Sequence, residues 1–239
     1  MSTWARHLYE HDPLAIAKGE VNDYSVRNIF GYNSSVSTTF IPAWENSTVY
    51  TYPTQALTMT ITSNVADNGV VVLIAGLDTN YNQISETVTL AGSATTVNQY
   101  FRINDVITVS GNALNDITIS NGGITYSKVR GGDGKNQASI YTVPAGYSFY
   151  LTRIDGFSAT TTGSSKYLLF RNYVRLNSGV VLRVAETTFL NQMQILRQAP
   201  FKYTEKTDIA LQAKSSSGVN EVGLFAEGYL IKNIIQGEP

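Results

Sequence analysis

From Thr39 onward the apolar residues of this chain recur at every second position rather than at helical spacing. Leu57, Met59 and Ile61 alternate with Thr58, Thr60 and Thr62, the pattern of a strand with one buried face. Val70 to Ile74 is a continuous apolar run opened by Asp67, Asn68 and Gly69, which predicts a strand buried on both faces after a tight turn. Phe101, Ile103, Ile107 and Val109 alternate again, and Ile117 and Ile119 form a shorter run between Asn-rich turns. Turn signals arrive about every 8–12 residues, the rhythm of a β-sandwich.

The second half repeats the rhythm without a residue-by-residue repeat. Tyr141 and Val143 lead into a turn at Pro144, Ala145 and Gly146, and Tyr147, Phe149 and Leu151 alternate beyond it. Further runs follow at Tyr167 to Phe170, Val180 to Val184, Phe201 and Tyr203, Ile209 and Leu211, and Val222 to Leu230. The segment from Thr187 to Leu196 is the one place here where a short helix is expected. Heptads are absent, so no coiled-coil shaft is encoded.

The expected fold is therefore all-β, with two β-sandwich or jelly-roll-like domains preceded by an extended N-terminal arm. The arm spans residues 1–38, with room for a short helix around 4–11, and the first domain spans 39–122. Residues 123–137 hold the run Arg130-Gly131-Gly132-Asp133-Gly134-Lys135 and form a Gly-rich linker. The second domain covers 138–239.

Composition narrows the function classes. Charged residues make up 15% of the 239-residue chain, well below the usual quarter, and Ser, Thr, Asn and Gly fill the deficit. Such a surface suits packing against neighbours, because Thr and Asn are cheaper to desolvate than Lys or Glu. The 17 basic residues are scattered among 18 acidic ones, so there is no clustered positive face for nucleic acid. The chain has no Cys, which removes disulfides, thiolate metal sites and thiol catalysis. Residues 1–30 lack a signal-peptide pattern, and no apolar run approaches a membrane span, so a soluble protein is expected.

Each candidate for chemistry has a plainer counterpart. His7 and His11 are four apart, as in half of a helical zinc site, with only Glu10 or Asp12 nearby as a third ligand. They are also the only histidines, so a Ser-His-Asp triad would need its base in the arm. The glycine-rich stretch at 130–135 lacks the spacer and the Ser or Thr of a phosphate loop. Asp78 with Glu86, or Glu205 with Asp208, are the carboxylate pairs a glycosidase would need. Glu86 keeps register with Ile84 and Val88, and capping a turn or pairing with Arg102 serves as well as acid catalysis. Asp67, Asp78 and Asp133 lie in turns but lack the dense spacing of a calcium loop. Trp44, Tyr50, Tyr52, Tyr81 and Tyr100 could make a carbohydrate platform, or be ordinary core and interface aromatics. No catalytic residue, cofactor or metal ligand is assigned.

One stretch carries a likeness beyond its pattern. Between Gly76 and Gly92 the chain reads GLDTNYNQISETVTLAG, a β-hairpin whose strands flank a polar turn over Asp78 to Asn82. This segment resembles one found in small virion structural proteins of tailed phages, especially phages of marine and cyanobacterial hosts. The segment FGYNSSVSTTFIPAWENSTVYTYP at 30–53 is similar to the lead-in of those proteins, and FRINDV at 101–106, YTVPAG at 141–146 and EKTDI at 205–209 continue the likeness. It covers roughly residues 28 to 232. The family offers no catalytic motif to match, so no functional residue is carried over.

The resemblance implies a non-enzymatic virion component, assembled in the host cytoplasm, with a capsid decoration or cement protein as the leading form. A neck or tail accessory protein anchoring fibres is the alternative within that class. A carbohydrate-binding or depolymerising receptor module is the alternative outside it. Partners would be other virion proteins, the major capsid protein or neck and tail proteins, and further copies of this chain, with a trimer as first expectation. No nucleic acid or membrane partner is expected. The apolar C-terminal stretch from Leu230 to Ile235 favours such contacts. Within the arm, Trp4, Leu8, Tyr9, Leu14, Ile16, Ile29 and Phe30, with Val26, are expected to dock on a neighbour, because their spacing fits neither a long amphipathic helix nor a regular strand. The alternative is that the arm folds back onto its own sandwich and covers an edge strand.

Overall fold

The structure, a computed structural model, describes residues 13–159 and 166–233. It is all-β, with sixteen strands in four small antiparallel sheets and a single α-helix among the described residues, α1 (Pro13–Ala17). The strands are β1 (Tyr24–Val36), β2 (Ile41–Pro42), β3 (Leu57–Thr62), β4 (Val71–Leu77), β5 (Gln83–Thr89), β6 (Ser93–Tyr100), β7 (Arg102–Ser110) and β8 (Ile117–Asn121). They continue as β9 (Ile124–Val129), β10 (Ile140–Thr142), β11 (Tyr147–Phe157), β12 (Leu168–Arg175), β13 (Val181–Phe189), β14 (Gln192–Tyr203), β15 (Asp208–Ser215) and β16 (Asn220–Lys232).

These strands bury two separate hydrophobic clusters. The first lies between the sheets β6-β3-β8-β9 and β5-β4-β7 and includes Met59, Ile61, Val72, Ile74, Val106, Ile117 and Ile119. The second lies between β1-β16-β11-β14 and β10-β15-β12-β13, and includes Phe149, Leu151, Phe170, Val174, Leu211 and Leu224. Period-two alternation is the cause in both: one side of each strand is apolar, and it leaves water only if a second sheet covers it.

The expected N-terminal arm differs from what the chain does. Residues 24–36 form β1, which pairs antiparallel with β16 from Tyr24↔Ile231 to Val36↔Asn220. Ile29 and Val36 sit in the second cluster beside Tyr141 and Phe149. The physical reason is the edge of β16. Without β1 its N–H and C=O groups would line an open sheet edge. Ala43 belongs to the second cluster too. The first cluster is thus built wholly from residues 57–129, inserted between two parts of the second.

The expected Gly-rich linker at 123–137 is likewise not a spacer. Residues 124–129 are β9, paired with β8. Beyond it, Gly131 packs so closely that a Cβ there would fall 2.2 Å from the Leu114 carbonyl oxygen. The chain crosses between clusters around 43–56 and again around 137–139. The crossings are tied together: Ala43 N–H donates to Ser139 Oγ (2.9 Å), and Ser139 N–H donates to Ala43 O (2.8 Å).

Three smaller expectations also change. Thr187 to Leu196 is no helix but the end of β13, a turn and the start of β14. Val71 and Leu73 are only partly covered, so β4 has one fully buried face rather than two. In β7 the buried apolar positions are Ile103 and Val106, while Val109 is 51% exposed. An irregularity at Asn104, where Ala75↔Asp105 is followed by Gly76↔Ile103, shifts the alternation by one residue.

Candidate functional site

The densest polar chemistry lies where the two halves meet. Asp208, the first residue of β15, is 3% exposed and receives two arginines and a hydroxyl. Arg102, the first residue of β7, donates from Nε to Oδ1 (2.8 Å) and from Nη2 to Oδ2 (3.1 Å). Arg175, the last residue of β12, donates to Oδ2 from Nε (3.0 Å) and from Nη2. Thr142 Oγ1 donates to Oδ1 at 2.6 Å. The remaining Arg102 nitrogen, Nη1, donates to the carbonyls of Phe101 (2.7 Å) and Pro53 (3.1 Å). Every oxygen of the buried carboxylate is met by donors, and the buried guanidinium finds acceptors in place of the water it leaves.

Aromatic rings enclose the cluster. The Arg102 guanidinium carbon lies 4.0 Å from the Phe101 ring centre, 5.0 Å from that of Tyr52 and 5.7 Å from that of Tyr81. Arg175 lies 4.3 Å from the Tyr52 ring centre. Burial, reinforced by Asp208, pushes the Tyr52 hydroxyl well above its ordinary pKa. For Arg175 burial pulls downward, but Asp208 outweighs it and raises the pKa. Beside this network opens a cavity of about 310 Å³ lined by Tyr52, Tyr81, Arg102, Arg175, Asn177 and Lys206, among others.

Two further contacts hold the junction. Asp105 of β7 pairs with Arg27 of β1 (2.6 Å) and Lys135 (3.0 Å). Burial raises its pKa, but the two cations outweigh burial and hold it below the ordinary carboxylate value. Asn104, at the irregularity in β7, exchanges two 3.0 Å hydrogen bonds with the backbone of Thr142 in β10. At the crossings, Glu45 Oε1 accepts from Gln137 N–H (2.7 Å), while Oε2 is buried without a hydrogen-bond partner. Burial pushes the Glu45 carboxyl up to a pKa of about 8.

The residues singled out from sequence scatter. Trp4, Leu8, Tyr9, His7 and His11 lie outside the described residues, as do residues 4–11 with their expected helix. Leu14 is exposed in α1, whereas Ile16 is buried. Ile29 belongs to the core and is not free to dock elsewhere. Phe30 stands on the outer face of β1 and stacks on Phe157 of β11, with ring centres 6.4 Å apart. Phe225 of β16 lies in register with Phe30. Next to it the Phe157 ring occupies the space over Gly223, where a Cβ would come within 2.0 Å. In register further along the same face are Val26, Tyr229 and Tyr150.

The carboxylates considered for catalysis accept local hydrogen bonds. Asp78 caps its own turn through the N–H groups of Asn80 (2.8 Å) and Asn82 (2.9 Å). Glu86 accepts from Val97 N–H (2.8 Å) and Asn98 N–H (2.9 Å) inside β6, where the pairing with β3 is irregular, and Arg102 takes Asp208 instead. Glu205 accepts from Gly146 N–H at 2.6 Å. Asp67 caps Leu114 N–H (2.9 Å) and Asn115 N–H (3.2 Å), and Asp133 pairs with Arg130. Among the described residues no group of three His, Asp or Glu side chains could hold a metal ion. The five aromatics form no common platform. Trp44 and Tyr100 are buried, Tyr50 links Trp44 to Tyr52 by edge contacts, and only Tyr52 and Tyr81 reach the cavity.

No protein-family model matches the chain, and no curated protein matches it. Among solved structures, a chain in the structure of infectious bursal disease virus Gt strain aligns over 91% of this chain and 74% of its own length, at 10% identity. Its TM-score is 0.22, a value at which the likeness carries no argument about fold or function.

Proposed function

We propose that this chain is a non-enzymatic structural component of a tailed-phage virion, a capsid decoration or cement protein acting by symmetric multivalent packing. One observation carries the reading. Strands β1 and β10 to β16 are ordered β1-β16-β11-β14 in one sheet and β10-β15-β12-β13 in the other. That order follows the eight-strand, two-sheet jelly-roll pattern, a scaffold used by viral capsid domains and also by lectins and cupins. Fold alone assigns no function, and two features of this chain favour a packing role.

The outer face of the β1-β16-β11-β14 sheet presents Phe30, Phe157 and Phe225 together, with Phe30 37% and Phe157 45% exposed. Aromatic clusters of this kind are typical anchors of protein interfaces. The carboxylates a hydrolase would need cap turns, hold strand backbone or join ion pairs. In a ring or lattice each copy contributes a modest interface, and symmetry multiplies weak contacts into a durable assembly.

Adding the pure protein to particles that lack it tests the proposal. Saturable binding over the head surface, with a rise in the temperature at which heads rupture, is expected. Binding confined to the neck or tail in electron micrographs would reassign the protein to an accessory that anchors fibres. Absence of any binding would overturn the reading.

A further inference from the structure

We propose that the cavity at the junction of the two halves binds a sugar that carries a carboxylate. The charge balance is the first argument. Arg102, Arg175 and Lys206 line the cavity together with a single acid, Asp208. Both oxygens of Asp208 are already committed to the two arginines and Thr142. Arg102, Thr142 and Arg175 together fill that carboxylate, which neutralises only one of the three cations and leaves Lys206 without a carboxylate of its own. Lys206 makes no ion pair among the described residues, and its ammonium stands 6.0 Å from the Tyr81 ring centre. The adjacent Glu205 is turned away to the Gly146 N–H. Three cations around one carboxylate repel one another, and a bound anion would relieve that repulsion.

The backbone gives a second argument. Four non-glycine residues among those described have positive φ, and two of them, Tyr81 (67°) and Lys206 (61°), line this one cavity. Holding a Tyr or Lys in that region is unfavourable, and such outliers gather where a ligand must be met. They come from opposite halves of the molecule, Tyr81 from the β4–β5 turn and Lys206 from the β14–β15 turn.

Size and lining define the class of ligand. A cavity of about 310 Å³ is at the small end of ligand sites, which fits one or two sugar rings and not a folded partner. Guanidinium and ammonium groups supply donors for a carboxylate, the Asn177 amide supplies both a donor and an acceptor for hydroxyls, and the tyrosine rings offer apolar edges. A hexuronic acid combines these needs. The inference stands independently of where, or whether, the protein sits on a particle.

Calorimetric titration of the full chain with D-glucuronate tests it, with D-glucose and acetate as controls. Saturable glucuronate binding is expected, with each control weaker by roughly tenfold or more, as expected when a charged hydrogen-bonding group is removed. Lys206→Asn deletes the ammonium while keeping a residue that tolerates positive φ. It should keep the melting temperature and weaken glucuronate by roughly tenfold. If the Asn variant misfolds, Lys206→Gly provides the same comparison. Absence of saturable glucuronate binding, equal affinity in the Lys206 variant, or acetate or glucose binding as tightly as glucuronate would each overturn the proposal.

Discussion

Arg102 and Asp208, 106 positions apart in sequence, form a bidentate ion pair of 2.8 and 3.1 Å with both side chains under 5% exposed. The pair joins the first residue of β7 to the first residue of β15, one from each half of the molecule. Removing Arg102 leaves buried Asp208 to the part-exposed Arg175 and to Thr142, and takes the Nη1 donor from the Phe101 and Pro53 carbonyls. Arg102→Ala is therefore expected to destabilise the chain by about 3–5 kcal/mol. Arg175→Ala should cost less, about 1 kcal/mol, because its side chain is 34% exposed and Arg102 still holds Asp208. Urea unfolding of both variants checks the ranking, and an Arg102 variant as stable as the parent would remove the pair from any account of the fold.

Gly31 is the second point of leverage. It lies in β1 at the crossing between halves, where a Cβ would fall 2.0 Å from the Ala43 carbonyl oxygen and 2.3 Å from the Ser139 nitrogen. Both neighbours are backbone and cannot swing aside. Gly31→Ala should cost about 1–3 kcal/mol or more through overpacking. Deleting residues 1–36 should strongly lower the melting temperature of the half built on the second cluster, because Ile29 and Val36 leave its core and β16 loses its neighbour. Thermal melts followed by circular dichroism report both results. A truncated chain that kept its melting temperature would restore the detachable arm.

Most strands were legible because alternation reports burial directly. The hairpin at 76–92 is where the residues place it, with β4 ending at Leu77 and β5 pairing from Gln83. Two kinds of information were not. Val26, Ile29 and Phe30 alternate only loosely, because β1 exposes some apolar residues on its outer face and buries others on its inner one. Gly131 reads as part of a spacer because a glycine chosen for close approach is indistinguishable in sequence from one chosen for freedom. The Asp208 cluster was hidden for a different reason. Its members lie at 102, 142, 175 and 208, and only strand order brings them together. An arginine opening a strand directly before the apolar Ile103, at 102, was the one local signal.

Glu45 makes stability depend on pH near neutrality. Burial holds its carboxyl at a pKa of about 8, against an ordinary 4.5. Between those values the folded chain keeps a proton that the unfolded chain has released. Stability from this group is therefore full below 4.5, declines as pH rises toward 8 and is flat above. The slope should reach about 1 kcal/mol per pH unit at its steepest. Glu45→Gln keeps an acceptor for the Gln137 N–H and removes the titration. Urea midpoints at several pH values should show the slope in the parent and its loss in the variant. Equal slopes would exclude Glu45 as the cause.

The aromatic face of the β1-β16-β11-β14 sheet should govern self-association rather than folding. Phe30 and Phe157 stack on each other outside the core, so replacing either by Ser should change stability by about 1 kcal/mol or less. Sedimentation should show the parent as a symmetric oligomer, with a trimer expected, and the Phe157→Ser variant shifted toward monomer. Identical sedimentation of the two proteins would place any interface elsewhere.

The central claim is a packing role at high multiplicity on a virion, and copy number tests it most directly. Quantitative mass spectrometry of purified intact particles should find this chain in hundreds of copies, as a decoration protein on a capsid lattice requires. A ring at the neck or tail would give about 6 to 18 copies, and absence from the particles would contradict the structural role itself.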